Sequence, residues 1–239
     1  MYCANRTILV EGRRIIEVDS FSYLGATIDR NLSFKKFAEI MVKKAHFLAF
    51  KFARLRYLLS EDTAITLFKQ AIMPHFDYCS YLVDASTQDY ADRLQIIQNR
   101  MLRCIRKVRV WEDSILDLHE LCEIPMLAPR RKELLMSLMY SKTKKSPPIN
   151  GGLRRTRNDQ KTTYRIPHPY TNNFRKSPLY RSLILWNKLP EDIQNAGSKE
   201  LFKTKTKRWF GTLMTGKRRI ATERRNEERR RRRRGRRLV

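Results

Sequence analysis

The chain has 239 residues, 41% of them hydrophobic, which is enough for one large domain or two small ones with a real core. Its 51 Lys and Arg residues outnumber 24 Asp and Glu residues, and the net charge of +27 favours a polyanionic partner, with nucleic acid as the first candidate. The sequence has neither a run of about 18 apolar residues that could span a bilayer nor an apolar N-terminal stretch typical of a signal peptide, so we expect an intracellular protein with no membrane partner.

Residues 1–32 are predicted to form a small β segment. Apolar and polar residues alternate in short runs between residues 7 and 28, and Glu11-Gly12 is a turn signal among them. We expect a β-hairpin around this turn, followed by a third strand from Phe21 to Ile28.

A long amphipathic helix is predicted from Ser33, which is a suitable N-cap. Apolar residues then recur at every third or fourth position, as on one face of a helix: Phe34, Phe37, Met41, Ala45, Leu48, Phe52, Leu55 and Leu59. The other faces carry basic residues, namely Lys35, Lys36, Lys43, Lys44, Lys51, Arg54 and Arg56. Because few acids accompany them, we expect a surface that binds a polyanion, and an ordinary solvated helix face is the alternative.

Four further helices are predicted before residue 142. One starts at Ser60, an N-cap followed by acids in the first turn, and ends before Pro74. The next covers roughly Thr87 to Val108. Its polar surface is basic and carries Arg93, Arg100, Arg103, Arg106 and Lys107. Two shorter helices are expected at residues 113–122 and 125–142, the second opened by Pro125, and residues 33–142 would together form a helical domain.

The rest of the chain is more polar. Residues 143–180 are rich in Pro, Gly, Arg, Thr and Asn and are predicted to be a basic linker or extended arm, on which Tyr164 and Tyr170 are candidates for stacking on bases. Residues 181–216 are expected to form a small helical segment with Trp186 in its core, a stacking role being the alternative. In the tail 217–239, twelve Arg accompany three Glu, a composition typical of a disordered polyanion-binding segment and of a nuclear localisation signal.

The cysteines and histidines do not predict a metal site. The four cysteines are Cys3, Cys79, Cys104 and Cys122. They are spread singly, so we expect reduced thiols, and neither His75 with Cys79 nor His119 with Cys122 supplies more than two ligands. We therefore expect no metal and no cofactor, and buried cysteines beside half-exposed histidines.

One tetrapeptide, Tyr90-Ala91-Asp92-Arg93, superficially matches the turn in which polymerases hold two metal ions between carboxylates. We reject this interpretation because Arg replaces the second carboxylate and the tetrapeptide lies within a helical period instead of a hairpin. No nucleophile elbow, phosphate-binding loop, dinucleotide-binding glycine pattern or zinc-protease motif occurs either. The sequence therefore does not predict an independent enzyme or a small-molecule substrate.

Four stretches, taken in chain order, carry a family resemblance. They are Phe21-Ser22-Tyr23-Leu24-Gly25-Ala26-Thr27-Ile28-Asp29, Ile72-Met73-Pro74-His75-Phe76-Asp77-Tyr78-Cys79-Ser80, Leu94-Gln95-Ile96-Ile97-Gln98-Asn99-Arg100-Met101-Leu102-Arg103 and Leu185-Trp186-Asn187-Lys188-Leu189-Pro190. They resemble the segment downstream of the catalytic palm in non-LTR retrotransposon reverse transcriptases, in particular the jockey-like group. Each motif alone is weak, but four in the family's order extend the resemblance over roughly residues 7–210.

The resemblance implies roles for eight residues. Tyr23, Leu24 and Gly25 would belong to the primer grip, which positions the primer end near the catalytic metals; for Gly25 a tight strand bend or bulge is the alternative. The following helices would form the thumb, which follows the backbone of the template–primer duplex. Its phosphate contacts would come from one group of residues, Lys43, Lys44, Lys51, Arg100 and Arg103.

The sequence thus predicts a mainly α protein with a short N-terminal β-hairpin and strand unit, a helical thumb-like bundle, an extended basic arm and a disordered Arg-rich tail. Since the fingers and the palm carboxylates are absent, we expect a noncatalytic fragment of an RNA-directed DNA polymerase that binds RNA or DNA duplex or hybrid, with a separate palm domain as a further possible partner. The alternative is a basic nuclear protein that binds RNA or acidic proteins. A thumb without its palm would leave an apolar surface of the N-terminal strands exposed.

Overall fold

The computed structural model describes residues 9–109, 114–145, 153–155 and 162–211, and they form a mainly helical protein with small two-stranded sheets, which confirms the predicted fold class for this part of the chain. The strands are β1 (Leu9–Val10), β2 (Arg13–Arg14), β3 (Ser20–Tyr23), β4 (Ala26–Asp29), β5 (Leu153–Arg155) and β6 (Thr162–Tyr164). The helices are α1 (Lys35–Arg56), α2 (Glu61–Leu67), α3 (Met73–Asp77), α4 (Ser80–Ala85), α5 (Gln88–Arg106), α6 (Ile115–Leu121), α7 (Leu127–Lys145), α8 (Asn172–Lys176), α9 (Pro178–Lys188), α10 (Glu191–Gln194) and α11 (residues 199–211). The predicted tail 217–239 lies outside the described residues.

The N-terminal segment contains two hairpins instead of a hairpin and a single strand. β1 and β2 pair around the predicted Glu11-Gly12 turn, which is confirmed. The expected strand from Phe21 to Ile28 is wrong, because β3 and β4 pair with each other around Leu24 and Gly25. Both turn residues have positive φ, 48° and 78°, and two such residues in a row reverse the chain in a tight two-residue hairpin loop.

The start of α1 is held by the carboxylate of Asp29, at the end of β4. This carboxylate accepts hydrogen bonds from the backbone N–H groups of Ser33 and Phe34, at 3.0 and 2.8 Å. Burial alone would raise the pKa of Asp29, but these hydrogen bonds outweigh it and the pKa lies below its ordinary value. The predicted N-cap Ser33 lies one residue too early, since α1 begins at Lys35 and its N-cap is Phe34. These hydrogen bonds thus fix the connection between the β3–β4 hairpin and α1.

The second helix does not end before Pro74 as predicted. Its N-cap is as expected, because the hydroxyl of Ser60 accepts a hydrogen bond from the N–H of Thr63 at 3.3 Å. After α2, the residues Phe68–Ile72 form a wider π-helical turn, and Pro74 follows in the first turn of α3. A proline is tolerated there because the altered hydrogen-bond ladder of a π-turn does not require its missing N–H. The chain therefore stays helical through Asp77.

The third predicted helix is confirmed closely by α5, and α6 agrees with the prediction for residues 113–122. The prediction that Pro125 opens the next helix is wrong, because α7 begins at Leu127 and the carbonyl of Pro125 accepts a hydrogen bond from the side chain of Gln98 at 3.0 Å. The rejected polymerase tetrapeptide lies in the first turns of α5, as its helical period indicated.

Two hydrophobic clusters form the core. The first lies among α1–α6 and includes Phe37, Phe52 and Phe68, all almost fully buried. The second lies among α7, α9, α10 and α11 and is centred on Trp186 and Phe202. Helix α7 contributes to both, because Leu127 belongs to the first cluster while Leu135 and Met136 belong to the second. The predicted division between residues 142 and 143 thus falls at the end of a helix that unites the two clusters.

The described residues of the predicted linker 143–180 include helices and strands. Of the described residues, Tyr164 in β6 is 4% exposed and meets Trp186 edge-on, with ring centroids 6.1 Å apart. The side chain of Asn187 accepts a hydrogen bond from the N–H of Tyr164 and donates one to the carbonyl of Tyr164, both at 2.9 Å. These two bonds hold β6 against α9. The linker interpretation is wrong for residues 162–180, since they contain β6, α8 and the first turn of α9. No helix within the described ranges is long and apolar enough to cross a bilayer.

Candidate nucleic-acid interface

The outer face of α1 is an exposed basic surface. The helix contains seven Lys and Arg residues and one acid, Glu39. The side chains of Lys43, Lys44 and Lys51 are all exposed, as the prediction of a phosphate-binding group requires. Glu39 forms an ion pair with Lys43 at 2.8 Å, and this hydrogen bond raises the pKa of Lys43 above its ordinary value.

Helix α5 packs beside α1 and supplies the other two predicted residues. Arg100 is exposed on its outer side, whereas Arg103 is half-buried and its Nε is enclosed. Lys43, Lys44, Lys51 and Arg100 are therefore exposed to solvent, whereas Arg103 is only partly exposed.

Arg56 is not part of this surface, although its position on the polar side of the predicted helix suggested that it was. Arg56 is 4% exposed, and its guanidinium contacts the last turn of α5. Nε and Nη2 donate to the carbonyl of Ile105, at 3.0 and 2.6 Å, and Nη1 donates to the carbonyl of Leu59 at 2.6 Å. Arg56 thus satisfies backbone carbonyls at helix ends, which otherwise lack partners.

The turn between β3 and β4 is anchored to the helical body. The hydroxyl of Tyr78 donates a hydrogen bond to the carbonyl of Leu24, fifty-four residues away in the chain. The side chains of Tyr23 and Leu24 are exposed by 59% and 76%. The structure therefore fixes this turn in place and leaves its side chains open to a ligand.

Gly25 has a conformational reason to be glycine. Its φ is +78°, which L residues rarely adopt, and a Cβ at this position would lie 3.6 Å from the Tyr78 hydroxyl, an ordinary contact. We expect Gly25→Ala to lower the free energy of unfolding by about 1 kcal/mol through backbone strain. Gly25→Asn is expected to cost less, since Asn tolerates this region. Urea unfolding measures both; equal losses would place the cost in the contact with Tyr78 instead of the backbone.

The polar residues of the Leu94–Arg103 stretch form a network that holds the loop between α6 and α7. Gln95 accepts a hydrogen bond from the N–H of Leu127 at 2.9 Å, and Gln98 donates to the carbonyl of Pro125. His119 is 4% exposed; its Nδ1 lies 2.8 Å from the carbonyl of Ile124 and its Nε2 lies 3.1 Å from Oδ1 of Asn99. This stretch thus has a structural role that its sequence pattern did not reveal.

Packing accounts for the candidate pair His119 and Cys122, whereas in the other pair His75 is exposed and Cys79 is half-buried. Both ring nitrogens of His119 are engaged as described, and Cys122 is buried. Burial raises the pKa of the Cys122 and Cys104 thiols, which keeps them protonated and unreactive. The expected half-exposed histidine is wrong for His119, which is buried, and His75 is exposed. No cluster of three or more His, Cys, Asp or Glu suited to a metal occurs among the residues described.

The aromatic residues predicted to stack on bases differ in their exposure. Trp186 lies in the second core cluster, as expected, and Tyr164 joins it, so the prediction that Tyr164 stacks on bases is wrong. Tyr170 is 90% exposed and remains a candidate. The sequence analysis missed Phe47 and Phe50, which are 58% and 61% exposed on the basic face of α1. They lie three residues apart, and a basic residue, Lys51 or Arg54, follows each of them by four; this helical spacing was the signal that could have identified them.

The N-terminal hairpins and the residues between them expose apolar side chains. These exposed residues are Leu9, Val10, Ile15, Ile16, Val18, Phe21 and Tyr23. Single apolar residues are normal at a surface, and seven exposed ones within fifteen residues make this segment a candidate interaction site.

No protein-family model, no curated protein and no solved structure matches this chain.

Proposed function

We propose that this chain is a noncatalytic C-terminal portion of a non-LTR retrotransposon reverse transcriptase that grips template–primer nucleic acid through phosphate contacts. The observation that carries the proposal is the exposed basic face of α1, a helix that packs against α5, on which Arg100 is also exposed. Lys43, Lys44 and Lys51 project from a helix with seven basic residues and one acid. Contacts of this kind bind any duplex backbone and do not select a base sequence.

The anchored turn at Leu24 and Gly25 supports the same proposal. A primer grip needs a rigid turn with accessible side chains, and the hydrogen bond from Tyr78 to the Leu24 carbonyl provides the rigidity. The exposed apolar residues of β1 to β3 fit association with a separate palm domain, which would cover them. The arginine-rich composition of residues 217–239 supports a nuclear location.

Binding of an RNA–DNA primer–template and of matched single strands tests the proposal. Fluorescence anisotropy would be measured for the full chain and for the chain without residues 218–239, across about 50 to 200 mM salt. We expect salt-sensitive binding by both chains with a preference for the hybrid. If deletion of residues 218–239 abolishes all binding, affinity belongs to that segment; if hybrid and single strands bind equally, the alternative of a merely basic RNA-binding or acidic-protein-binding protein is favoured.

Neutralising the α1 lysines tests whether the basic face of α1 makes the phosphate contacts. We expect the combined change Lys43→Gln, Lys44→Gln and Lys51→Gln to reduce the slope of log affinity against log salt by about three, because about one counterion is released for each phosphate contact. The matched control removes three exposed lysines from the C-terminal helices, through Lys188→Gln, Lys199→Gln and Lys203→Gln. An equal loss of slope in both variants would contradict a localised grip.

A further inference from the structure

The basic face of α1 carries two exposed phenylalanines in a repeated arrangement with cations. Lys51 Nζ lies 4.3 Å from the centroid of the Phe47 ring, and the Arg54 guanidinium carbon lies 5.7 Å from the centroid of the Phe50 ring. In both pairs the cation follows the ring by four residues, and the second pair is displaced from the first by three. A pair of large rings left in water on a helix that buries its other face has a cost, since each ring would gain from burial.

We propose that this aromatic face, consisting of Phe47, Lys51, Phe50 and Arg54, is a stacking site for unpaired bases of a nucleic acid strand. Sites for single strands combine aromatic rings, on which bases stack, with cations that follow the phosphates. Each ring here has a cation at one of its faces and is more than half exposed. The rings follow each other by about 4.5 Å along the helix axis, close to the spacing of about 3.4 Å between successive bases in a strand.

Charge complementarity selects this ligand among the partners that an aromatic face could bind. Around the two rings, Lys43, Lys44, Lys51 and Arg54 carry positive charge, and Glu39 alone opposes them on the helix. An uncharged protein surface would leave these cations without counterions, whereas a nucleic acid offers bases and phosphates at alternating positions. The site goes beyond phosphate contacts to a duplex, because it requires bases that are not paired.

The test compares two ligands with the same number of phosphates. The full chain would be titrated into a labelled oligothymidine of about ten nucleotides and into an abasic oligomer of equal length, with anisotropy as readout. We expect tenfold or greater preference for oligothymidine, because stacking of one base contributes about 1–3 kcal/mol and 1.4 kcal/mol is a factor of ten. Any binding by residues 217–239 through phosphates affects both ligands alike.

The combined change Phe47→Ala and Phe50→Ala is expected to abolish the preference and to leave binding of the abasic oligomer unchanged. Both positions are exposed and helical, where alanine is tolerated well, so the variant keeps its fold and its charge. Phe21→Ala, at a phenylalanine of β3 that is 59% exposed, is the control and should keep the preference.

Three results would overturn the proposal. The unchanged chain could fail to distinguish oligothymidine from the abasic oligomer, or the two phenylalanine changes could weaken both ligands equally. In the third, the chain shows no preference for bases but binds vesicles of phosphatidylserine and phosphatidylcholine, and this binding depends on Phe47 and Phe50. That result would show that the aromatic face binds a lipid surface. Preference for a hybrid over single strands is a separate measurement, so failure of the grip and failure of the stacking site are distinguishable.

Discussion

Asp84→Asn is expected to lower the free energy of unfolding by about 3–5 kcal/mol, the cost of removing one partner from a buried ion pair. The carboxylate of Asp84, on α4, lies 2.6 Å from Nε of Arg131 on α7 and 2.9 Å from Nη2 of Arg181 on α9. The Arg131 side chain is 6% exposed and that of Asp84 14%. Asparagine would keep the shape but leave two guanidinium groups without their shared counter-charge. Urea unfolding monitored by circular dichroism measures the loss.

The matched control is Asp89→Asn, the same chemical change in an exposed ion pair. Asp89 meets Arg93 at 2.9 Å one turn along α5, with both side chains more than half exposed. Because water screens such a pair, we expect a change below about 0.5 kcal/mol. Similar losses in the two variants would show that the Asp84 cluster does not hold α4, α7 and α9 together.

Arg56→Met is expected to cost about 3 kcal/mol of stability and to leave the salt dependence of nucleic-acid binding unchanged. Methionine retains an apolar stem of similar reach, but it removes the donors to the carbonyls of Ile105 and Leu59, and each buried carbonyl left unsatisfied costs about 1–3 kcal/mol. The readouts are the urea midpoint and the salt slope of anisotropy titrations under conditions in which the variant is folded.

Arg54→Met provides the comparison two residues earlier on the same helix. Arg54 is exposed, so its replacement should change stability by less than about 0.5 kcal/mol. A variant at Arg56 that unfolds normally but loses salt dependence would contradict the structural role and return Arg56 to the phosphate-binding surface.

The long helices were predictable from the sequence because each buries one face. In α1 and α5 the apolar residues keep a period near 3.6 over at least five turns, and this repetition identifies a helix without knowledge of what covers it. The N-cap at Ser60 was predictable for a similar reason, since its partner Thr63 lies three residues away. The hairpin at Leu24 and Gly25 was missed because its anchor, Tyr78, is distant in the chain and a leucine with positive φ is uncommon.

The candidate interface was partly predictable. The excess of lysine on α1 identified a basic helix face, and Lys43, Lys44 and Lys51 are exposed on it. Phe47 and Phe50 were overlooked because a phenylalanine in an amphipathic helix is expected to face the core. For Tyr164 the error was the reverse. Its polar neighbours in the sequence suggested an exposed side chain, but β6 packs it against Trp186.

The sequence by itself determined the helical class, the order of the main helices and the positive charge, because periodicity and composition are properties of neighbouring residues. Only the tertiary structure decided which charges remain available to a ligand. Arg54 and Arg56 are two residues apart, yet Arg54 is exposed to solvent whereas Arg56 is buried and donates to the carbonyl of Ile105 at the end of α5. Whether a guanidinium finds water or a protein acceptor depends on elements far away in the chain, and local sequence does not contain that information.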